Sequence, residues 1–194
     1  MQKLFLFTML TLCAFAAFGQ KNTINVITEL NKLGDIQDLP AYWDDTEVKQ
    51  ISSYDTTGNN DDGFSGKYSF IRKNPDSSLV IFEAEGNGVI NRIWTPTPNS
   101  DVLDFYFSGS DKPSFSIPFI DLFSGNVFPF VSPVSGNEIG GYYCYFPIPF
   151  KDGCKIVSRG KSMKFYQIQY RTYPKQFKVE NFSQDLDESA KAAL

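Results

Sequence analysis

The strongest constraint on the fold is a change in hydrophobic period near Leu79. From that residue onward, apolar runs of strand length alternate with polar residues and end at Gly, Pro, Asn or Asp. A period of two places successive side chains on opposite faces of a sheet. In the run LDFYFSG this alternation points Leu103, Phe105 and Phe107 to one buried face. The second half of the chain is therefore predicted to be a set of short strands.

Further segments extend this pattern. LVIFEAEG and GVINRIWT flank Gly86-Asn87-Gly88 and predict a β-hairpin. Pro118 within SFSIPFIDLF indicates an edge strand or a bulge, because proline cannot donate a ladder hydrogen bond. With GYYCYFPIPF, GCKIVSR and SMKFYQIQYRTY, seven or eight strands separated by turns predict an all-β fold, a jelly-roll β-sandwich.

Short helices are expected on either side of this sandwich. Thr23 is a candidate N-cap for a lead-in helix that stops near Gly34, and Ser183 is a candidate N-cap near the end of the chain. The predicted division is a signal peptide at 1–19, a helical lead-in at 20–50, the jelly roll at 51–176, and at 177–194 the start of a helix that links to a second half outside this sequence.

The first residues predict export. Lys3 precedes an apolar run that ends in Ala17-Phe18-Gly19, which is typical of a secretory signal peptide cleaved after Gly19. The protein is therefore expected to be secreted or periplasmic, with no membrane span after cleavage. Cys144 and Cys154 then remain, and they could pair across facing strands or be two separate buried thiols, because spacing does not decide connectivity.

Composition excludes several functions. The net charge of -4 and the scattered Lys and Arg residues give no basic surface for nucleic acid. The 194 residues contain no histidine, which excludes Ser-His-Asp and Cys-His nucleophiles and His-ligated zinc within this chain. Any chemistry must use carboxylates, tyrosines or lysines, and we predict neither a metal nor a cofactor.

The segment SYDTTGNNDDGFSG, residues 53–66, is the most polar candidate site. As a calcium loop of the EF-hand type it fails, because Gly58 and Ser69 would stand where carboxylates are needed. It could be only a turn, since Asn, Asp and Gly favour left-handed backbone. It could also bind a sugar through Asn60, Asp61 and Asp62 beside the ring of Tyr54. Adjacent aspartates point apart, so Asp61 and Asp62 are not predicted to be a catalytic pair.

Aromatic residues supply further candidates. Trp94, near Arg92 in NRIWTPTP, is either a core anchor or a platform for a sugar ring. Tyr143 and Tyr145 share one strand face while Tyr142 takes the other, so at least one phenol is expected in a cleft or interface.

Three glutamates are candidates for free acids. Glu83 and Glu85 share a strand face that we predict to be solvated, and Glu138 in a glycine loop is expected to be a surface charge.

The succession SSYDTTGNNDDG, GVINRIWTPTP, LDFYFSGSDKPSFSIPFIDLF, GGYYCYFPIPF and FYQIQYRTY, over residues 51–173, resembles the domain-of-unknown-function 2961 family, now classed as glycoside hydrolase family 172. The resemblance implies an enzyme with two jelly-roll halves, assembled as a trimer or larger, that cleaves D-fructofuranosides or D-arabinofuranosides with retention. It also implies catalytic glutamates in the second half, near a Gly-x-Glu-Asp-Tyr motif that this sequence lacks.

The chain is therefore interpreted as the N-terminal half of a secreted glycoside hydrolase, inactive alone, with a glycan substrate and a homo-oligomeric full-length form. The alternative is a non-catalytic carbohydrate-binding or assembly domain. No catalytic residue is assigned. The predicted substrate-binding residues are Tyr54, Asn60, Asp61, Asp62, Arg92, Trp94 and Tyr143.

Overall fold

The computed structural model describes residues 23–38 and 45–194. The predicted signal peptide lies outside these residues. The helices are α1 (Val26–Gly34) and α2 (Glu188–Ala192), with 3₁₀-helices at Ile36–Asp38 and Phe119–Phe123. The strands are β1 (Glu47–Ser52), β2 (Arg72–Lys73), β3 (Leu79–Ala84), β4 (Asn87–Thr95), β5 (Val102–Phe107), β6 (Phe115–Pro118), β7 (Asn126–Val127), β8 (Phe130–Val131), β9 (Ser135–Glu138), β10 (Gly141–Cys144), β11 (Ile148–Phe150), β12 (Cys154–Ser158) and β13 (Gln167–Tyr173).

Two antiparallel sheets form the predicted all-β sandwich. One has the strand order β1-β13-β4-β10-β9, with β11 also paired to β4, and the other has the order β2-β3-β12-β5-β6. A small hairpin, β7-β8, completes the set. Strand β1 begins at Glu47, within the range predicted to be a helical lead-in, and Pro118 ends the edge strand β6 as its proline predicted.

The predicted hairpin around Gly86-Asn87-Gly88 is wrong. Strand β3 belongs to the five-stranded sheet and β4 to the six-stranded sheet, so the turn carries the chain from one layer to the other. Gly86 adopts a φ of 74° that suits glycine at such a turn. A hairpin within one sheet and a turn between two sheets have the same local pattern of two strands and a glycine turn. Only the packing of the sheets distinguishes them.

Aromatic side chains fill the space between the sheets. The rings of Phe82 on β3 and Tyr170 on β13 meet edge to face with centroids 5.0 Å apart, which joins the two layers directly. Phe105 and Phe115 stack at 4.2 Å on neighbouring strands of one sheet. Burying each such ring stabilises the fold by about 2 kcal/mol. The predicted inward face of β5 is confirmed by the burial of Leu103, Phe105 and Phe107.

Both helices begin later than predicted. Asn25, not Thr23, caps α1, because its side chain accepts the Thr28 N–H while the Thr28 hydroxyl accepts the Asn25 N–H. Ile24 instead forms a parallel bridge with Val179. Asp187, not Ser183, caps α2. Gly34 ends α1 as predicted, and α2 buries Ala190.

The two cysteines are separate buried thiols. Cys144 lies on β10 and Cys154 on β12, in different sheets, and both are free. Of the two alternatives left open by the sequence, a disulfide or two separate thiols, the structure has the separate thiols. Burial raises the pKa of Cys144 to about 12 and raises that of Cys154 as well, because a thiolate is poorly solvated in an apolar interior.

None of the helices in the two described ranges is both long and apolar enough to cross a bilayer.

Candidate functional site

The outer face of the six-stranded sheet is divided into a covered half and an open half. In the covered half, Ile24, Val89, Tyr173 and Val179 are buried together beneath the lead-in segment. Glu29 of α1 is also buried there and forms an ion pair with Lys32. The open half presents partly exposed polar and aromatic side chains instead.

One cross-strand row crosses the whole open half. Tyr143 on β10 lies opposite Trp94 on β4, and Trp94 lies opposite Gln167 on β13. The row continues from Gln167 to Ser52 on β1 and from Tyr143 to Gly136 on β9. Because the antiparallel register fixes which residues are neighbours, four side chains and Gly136 stand in one line across five strands.

Two glycines leave room for the aromatic rings of this row. A Cβ atom added to Gly141 would lie 3.1 Å from Trp94 Nε1, and one added to Gly136 would lie 2.8 Å from the Tyr143 hydroxyl. Each ring therefore lies against a glycine of the neighbouring strand. This contact holds Trp94 and Tyr143 close to the sheet, where a flat ligand could rest on their faces.

Amide side chains lie on the β13 and β1 side of Trp94. Arg92 Nη1 donates a hydrogen bond of 2.9 Å to Gln167 Oε1, and its Cζ lies 5.8 Å from the centroid of the Trp94 ring. On the next row, Gln169 Nε2 donates to Gln50 Oε1 at 3.0 Å. The open half thus combines an aromatic surface with amide groups whose partners hold them in place.

The loop 53–66 stands beside this row and is attached to the start of β13. The Ser53 N–H donates to the Tyr166 carbonyl at 3.1 Å, and the Tyr166 N–H donates to Ser53 Oγ at 3.2 Å. Gly63 and Gly66 have φ values of 107° and 78° and pack closely against residues 163–165. Side chains larger than hydrogen would not fit at either position.

Most of the loop carboxylates bind the loop itself. Asp55 is buried and accepts the Thr57 N–H at 2.9 Å and the Thr57 hydroxyl at 2.6 Å. The hydroxyl bond lowers the pKa of Asp55 against the opposing effect of burial. Asp61 accepts hydrogen bonds from the backbone and the hydroxyl of Ser65. The Asp55 contact with Thr57 is an Asx turn, and the Asp61 contacts join two loop residues four positions apart, as expected of a structural loop.

Asp62 differs from its neighbour because it also reaches the open face. Its Oδ1 accepts the Asp55 N–H at 2.7 Å, while its side chain lines a cleft of about 290 Å³. We call this the Trp94 cleft. Its lining residues are Gln50, Ser52, Ser53, Tyr54, Asp62, Trp94, Phe165, Tyr166 and Gln167.

The structure brings together only part of the predicted site. Tyr54, Asp62 and Trp94 line the cleft, and Arg92 and Tyr143 adjoin it on the same sheet face. Asn60 and Asp61 lie in the loop but are not among the lining residues. Asn60 is exposed.

Sequence reasoning missed the amide residues of the cleft, Gln50 and Gln167. The alternation in FYQIQYRTY already placed Gln167 and Gln169 on the outward face of their strand. What it could not indicate is that β1 and β4 would add Gln50 and Arg92 to the same surface, since pairing between distant strands is not visible in a local pattern.

The three candidate glutamates lie outside the Trp94 cleft. Glu83 is exposed and forms a two-point ion pair with Arg72, whose hydrogen bonds lower the Glu83 pKa. With Glu85 it lines a second cleft of about 260 Å³ on the other sheet, beside Tyr106 and Lys155. Glu138 is exposed at the end of the edge strand β9. The predicted solvated face is confirmed for Glu83.

Across residues 23–38 and 45–194, no three His, Cys, Asp or Glu side chains are arranged to hold a metal ion. The described lining of the Trp94 cleft consists of aromatic rings, amides, two serines and one carboxylate. Such groups bind neutral polar molecules by stacking and hydrogen bonding.

Comparison with known proteins agrees with the resemblance found in the sequence. The family model described as the GH172 first beta-sandwich domain matches residues 44–190, which include both sheets and the loop 53–66. None of the curated proteins matches the chain. The match covers most of the chain, and the protein belongs to glycoside hydrolase family 172, of which it carries the first β-sandwich domain.

Proposed function

We propose that this domain supplies a sugar-binding surface to an exported glycoside hydrolase that acts on D-fructofuranosides or D-arabinofuranosides. The observation that carries the proposal is the Trp94 cleft, where a tryptophan ring, amide side chains and a carboxylate line one space. Sugars present weakly polar C–H faces to aromatic rings and hydroxyl groups to amides and carboxylates. The furanoside type and the export come from the family resemblance and from the N-terminal sequence.

Polar groups reach the Trp94 cleft from two parts of the chain. Gln167 and Gln50 belong to the sheet, while Asp62 projects from the loop, with Tyr54 at 59% exposure beside it. A sugar ring on Trp94 would have hydrogen-bonding partners from both the sheet and the loop. Asp61 lies outside the cleft and accepts hydrogen bonds from Ser65, so we assign it a structural role in the loop.

We further propose that these 194 residues do not hydrolyse a glycoside by themselves. A retaining glycosidase needs two carboxyl groups about 5 Å apart, and an inverting one needs them roughly 6.5–9.5 Å apart. Among the described residues that line the Trp94 cleft, Asp62 is the single carboxylate. In this account the acid and the nucleophile lie outside this sequence, as the resemblance implies.

The proposal is tested with the purified chain and two probes, an oligosaccharide of D-arabinofuranose and one of D-fructofuranose. Calorimetric titration is expected to detect binding of at least one probe, and chromatography of long incubations is expected to detect no released sugar. Release of sugar by this chain would refute the proposal that it does not hydrolyse glycosides by itself. Absence of binding to both probes would refute the proposed sugar-binding surface.

An assembly role is a second candidate, and one observation favours it. Ile139, at the turn between β9 and β10, is fully exposed and adopts a φ of 50°, which is unusual for a β-branched residue. An apolar side chain held outward in this way suits a contact between protomers of a homo-oligomer. Light scattering of the chain and of Ile139→Ser tests this role, since loss of assembly in the variant alone would support it.

A further inference from the structure

We infer that Arg92 is a positioning residue that turns the Gln167 amide so that only its N–H donors face the ligand. The inference rests on the proposed function, because it takes the Trp94 cleft to be a sugar site. It assigns Arg92 a role that differs from direct contact with substrate, and it makes Gln167 a residue that determines specificity.

The chemistry of the two side chains fixes the orientation. A guanidinium group has five donors and no acceptor, so Gln167 can meet Arg92 only through its carbonyl oxygen. The observed bond runs from Arg92 Nη1 to Gln167 Oε1 at 2.9 Å. The amide nitrogen of Gln167 is then directed away from Arg92. Gln167 lines the cleft whereas Arg92 does not, so the group that a ligand meets is an N–H donor.

Arg92 also lies against the aromatic platform. Its Cζ is 5.8 Å from the centroid of the Trp94 ring, and Trp94 pairs directly with Gln167 across β4 and β13. One half-buried cation therefore contacts both groups that would hold a sugar ring. A guanidinium near an aromatic face restricts the movement of both side chains.

The cleft consequently has a donor side and an acceptor side. Gln167 offers hydrogen atoms from the sheet, and Asp62 offers oxygen lone pairs from the loop while its Oδ1 also accepts the Asp55 N–H. A neutral ring with a hydroxyl on each edge satisfies both sides. A uronate or a phosphorylated sugar would place a negative charge near Asp62, so the site is expected to select neutral saccharides.

The matched test is Gln167→Glu in the 194-residue chain. Glutamate preserves the length of the side chain and the bond to Arg92, but it removes both N–H donors. Affinity for whichever furanose oligosaccharide binds the unmodified chain is expected to fall about five- to tenfold. Thermal unfolding of the variant should match that of the unmodified chain, which would show that the fold is kept.

A double-mutant cycle tests whether Arg92 acts through Gln167. Arg92→Met is expected to weaken binding about fivefold when it is the single substitution. In the Gln167→Ala variant the same change is expected to have little further effect. Arg92→Lys, which can still donate to Gln167 Oε1, is expected to restore part of the affinity.

The failures of the two proposals can be told apart. If the unmodified chain binds neither oligosaccharide, the proposed function fails. If binding occurs and depends on Trp94, but the effects of Arg92→Met and Gln167→Ala simply multiply, the sugar site stands and the positioning role is overturned.

Discussion

Trp94 and Gln167 lie directly opposite each other on β4 and β13, on the outer face of the six-stranded sheet. They are 73 positions apart in the sequence, yet the register makes them neighbours in one row. Arg92 contacts both, and the loop 53–66 adds Asp62 at the side of the same cleft. The candidate site is therefore built by strand pairing, with the polar loop as one wall.

The two neighbouring aspartates of the loop are expected to respond differently to substitution. Asp62→Asn keeps an oxygen for the Asp55 N–H but removes the charge from the cleft, and it should weaken sugar binding about tenfold. Asp61→Asn, outside the cleft, should leave affinity unchanged. Titration of both variants with the same oligosaccharide checks this, and equal losses would contradict the division between them.

Gly88 is expected to be required for the fold. A Cβ atom at this position would lie 2.7 Å from the Arg171 carbonyl oxygen and would also collide with the Phe150 ring. Gly88→Ala should lower the free energy of unfolding by about 3 kcal/mol, because backbone cannot move aside in the middle of a sheet. Gly34→Ala, where the added Cβ meets nothing within 4 Å, is the control. Urea denaturation that ranks both variants alike would contradict this.

Low pH is expected to lower the free energy of unfolding through Asp104, which lies on β5 of the five-stranded sheet. Burial raises the Asp104 pKa, but hydrogen bonds from Arg159 and Ser116 outweigh it and hold the pKa below the ordinary 3.8. Because the folded-state pKa is the lower one, the stabilisation is complete above pH 3.8 and is lost as the pH falls through the folded pKa.

Asp104→Asn should therefore cost about 1 kcal/mol at pH 6, a modest figure because Arg159 is largely exposed to solvent. The difference from the unmodified chain should shrink as the pH falls below the ordinary value. Unfolding curves measured at pH 6, 4 and 3 test the sign. A difference that stays constant over this range would show that the Asp104 carboxylate does not carry the effect.

Both core thiols should be protected in the folded protein. Cys144 and Cys154 are buried in different sheets, and burial raises the pKa of each. The third cysteine, Cys13, lies in the predicted signal peptide and is removed by Cys13→Ser. In that chain a thiol reagent at pH 8 is expected to label neither core residue until denaturant is added. Mass spectrometry of the oxidised sample should find no bond between them. Rapid labelling of the native chain, or a disulfide, would contradict the observed burial.

The sequence predicted the sandwich well because period-two alternation reports directly on which faces are buried. It assigned Leu103, Phe105 and Phe107 to the core, where they lie. It failed at Gly86, because a glycine turn between two strands looks the same whether it joins neighbours or changes sheets. The N-caps of both helices were misplaced by a few residues, since several Ser, Thr, Asn and Asp residues compete for each cap.

For the site, side-chain chemistry was easier to predict than position. Trp94 and Asp62 were recognised from residue type and their polar surroundings, and both line the cleft. Gln50 and Gln167 were not, because their relation to Trp94 depends on the pairing of β1, β13 and β4. Asp61 was grouped with Asp62 because sequence cannot tell which carboxylate the loop uses for its own hydrogen bonds.

The central claim is that the Trp94 cleft binds a neutral furanose sugar, and titration of the unmodified chain beside Trp94→Ala tests it most directly. Tyr106→Ala, which removes an aromatic ring from the other sheet, is the matched control. The account predicts that at least one furanose oligosaccharide binds, that Trp94→Ala weakens it at least tenfold, and that Tyr106→Ala does not. Binding that is unaffected by Trp94→Ala in a folded chain would contradict the account.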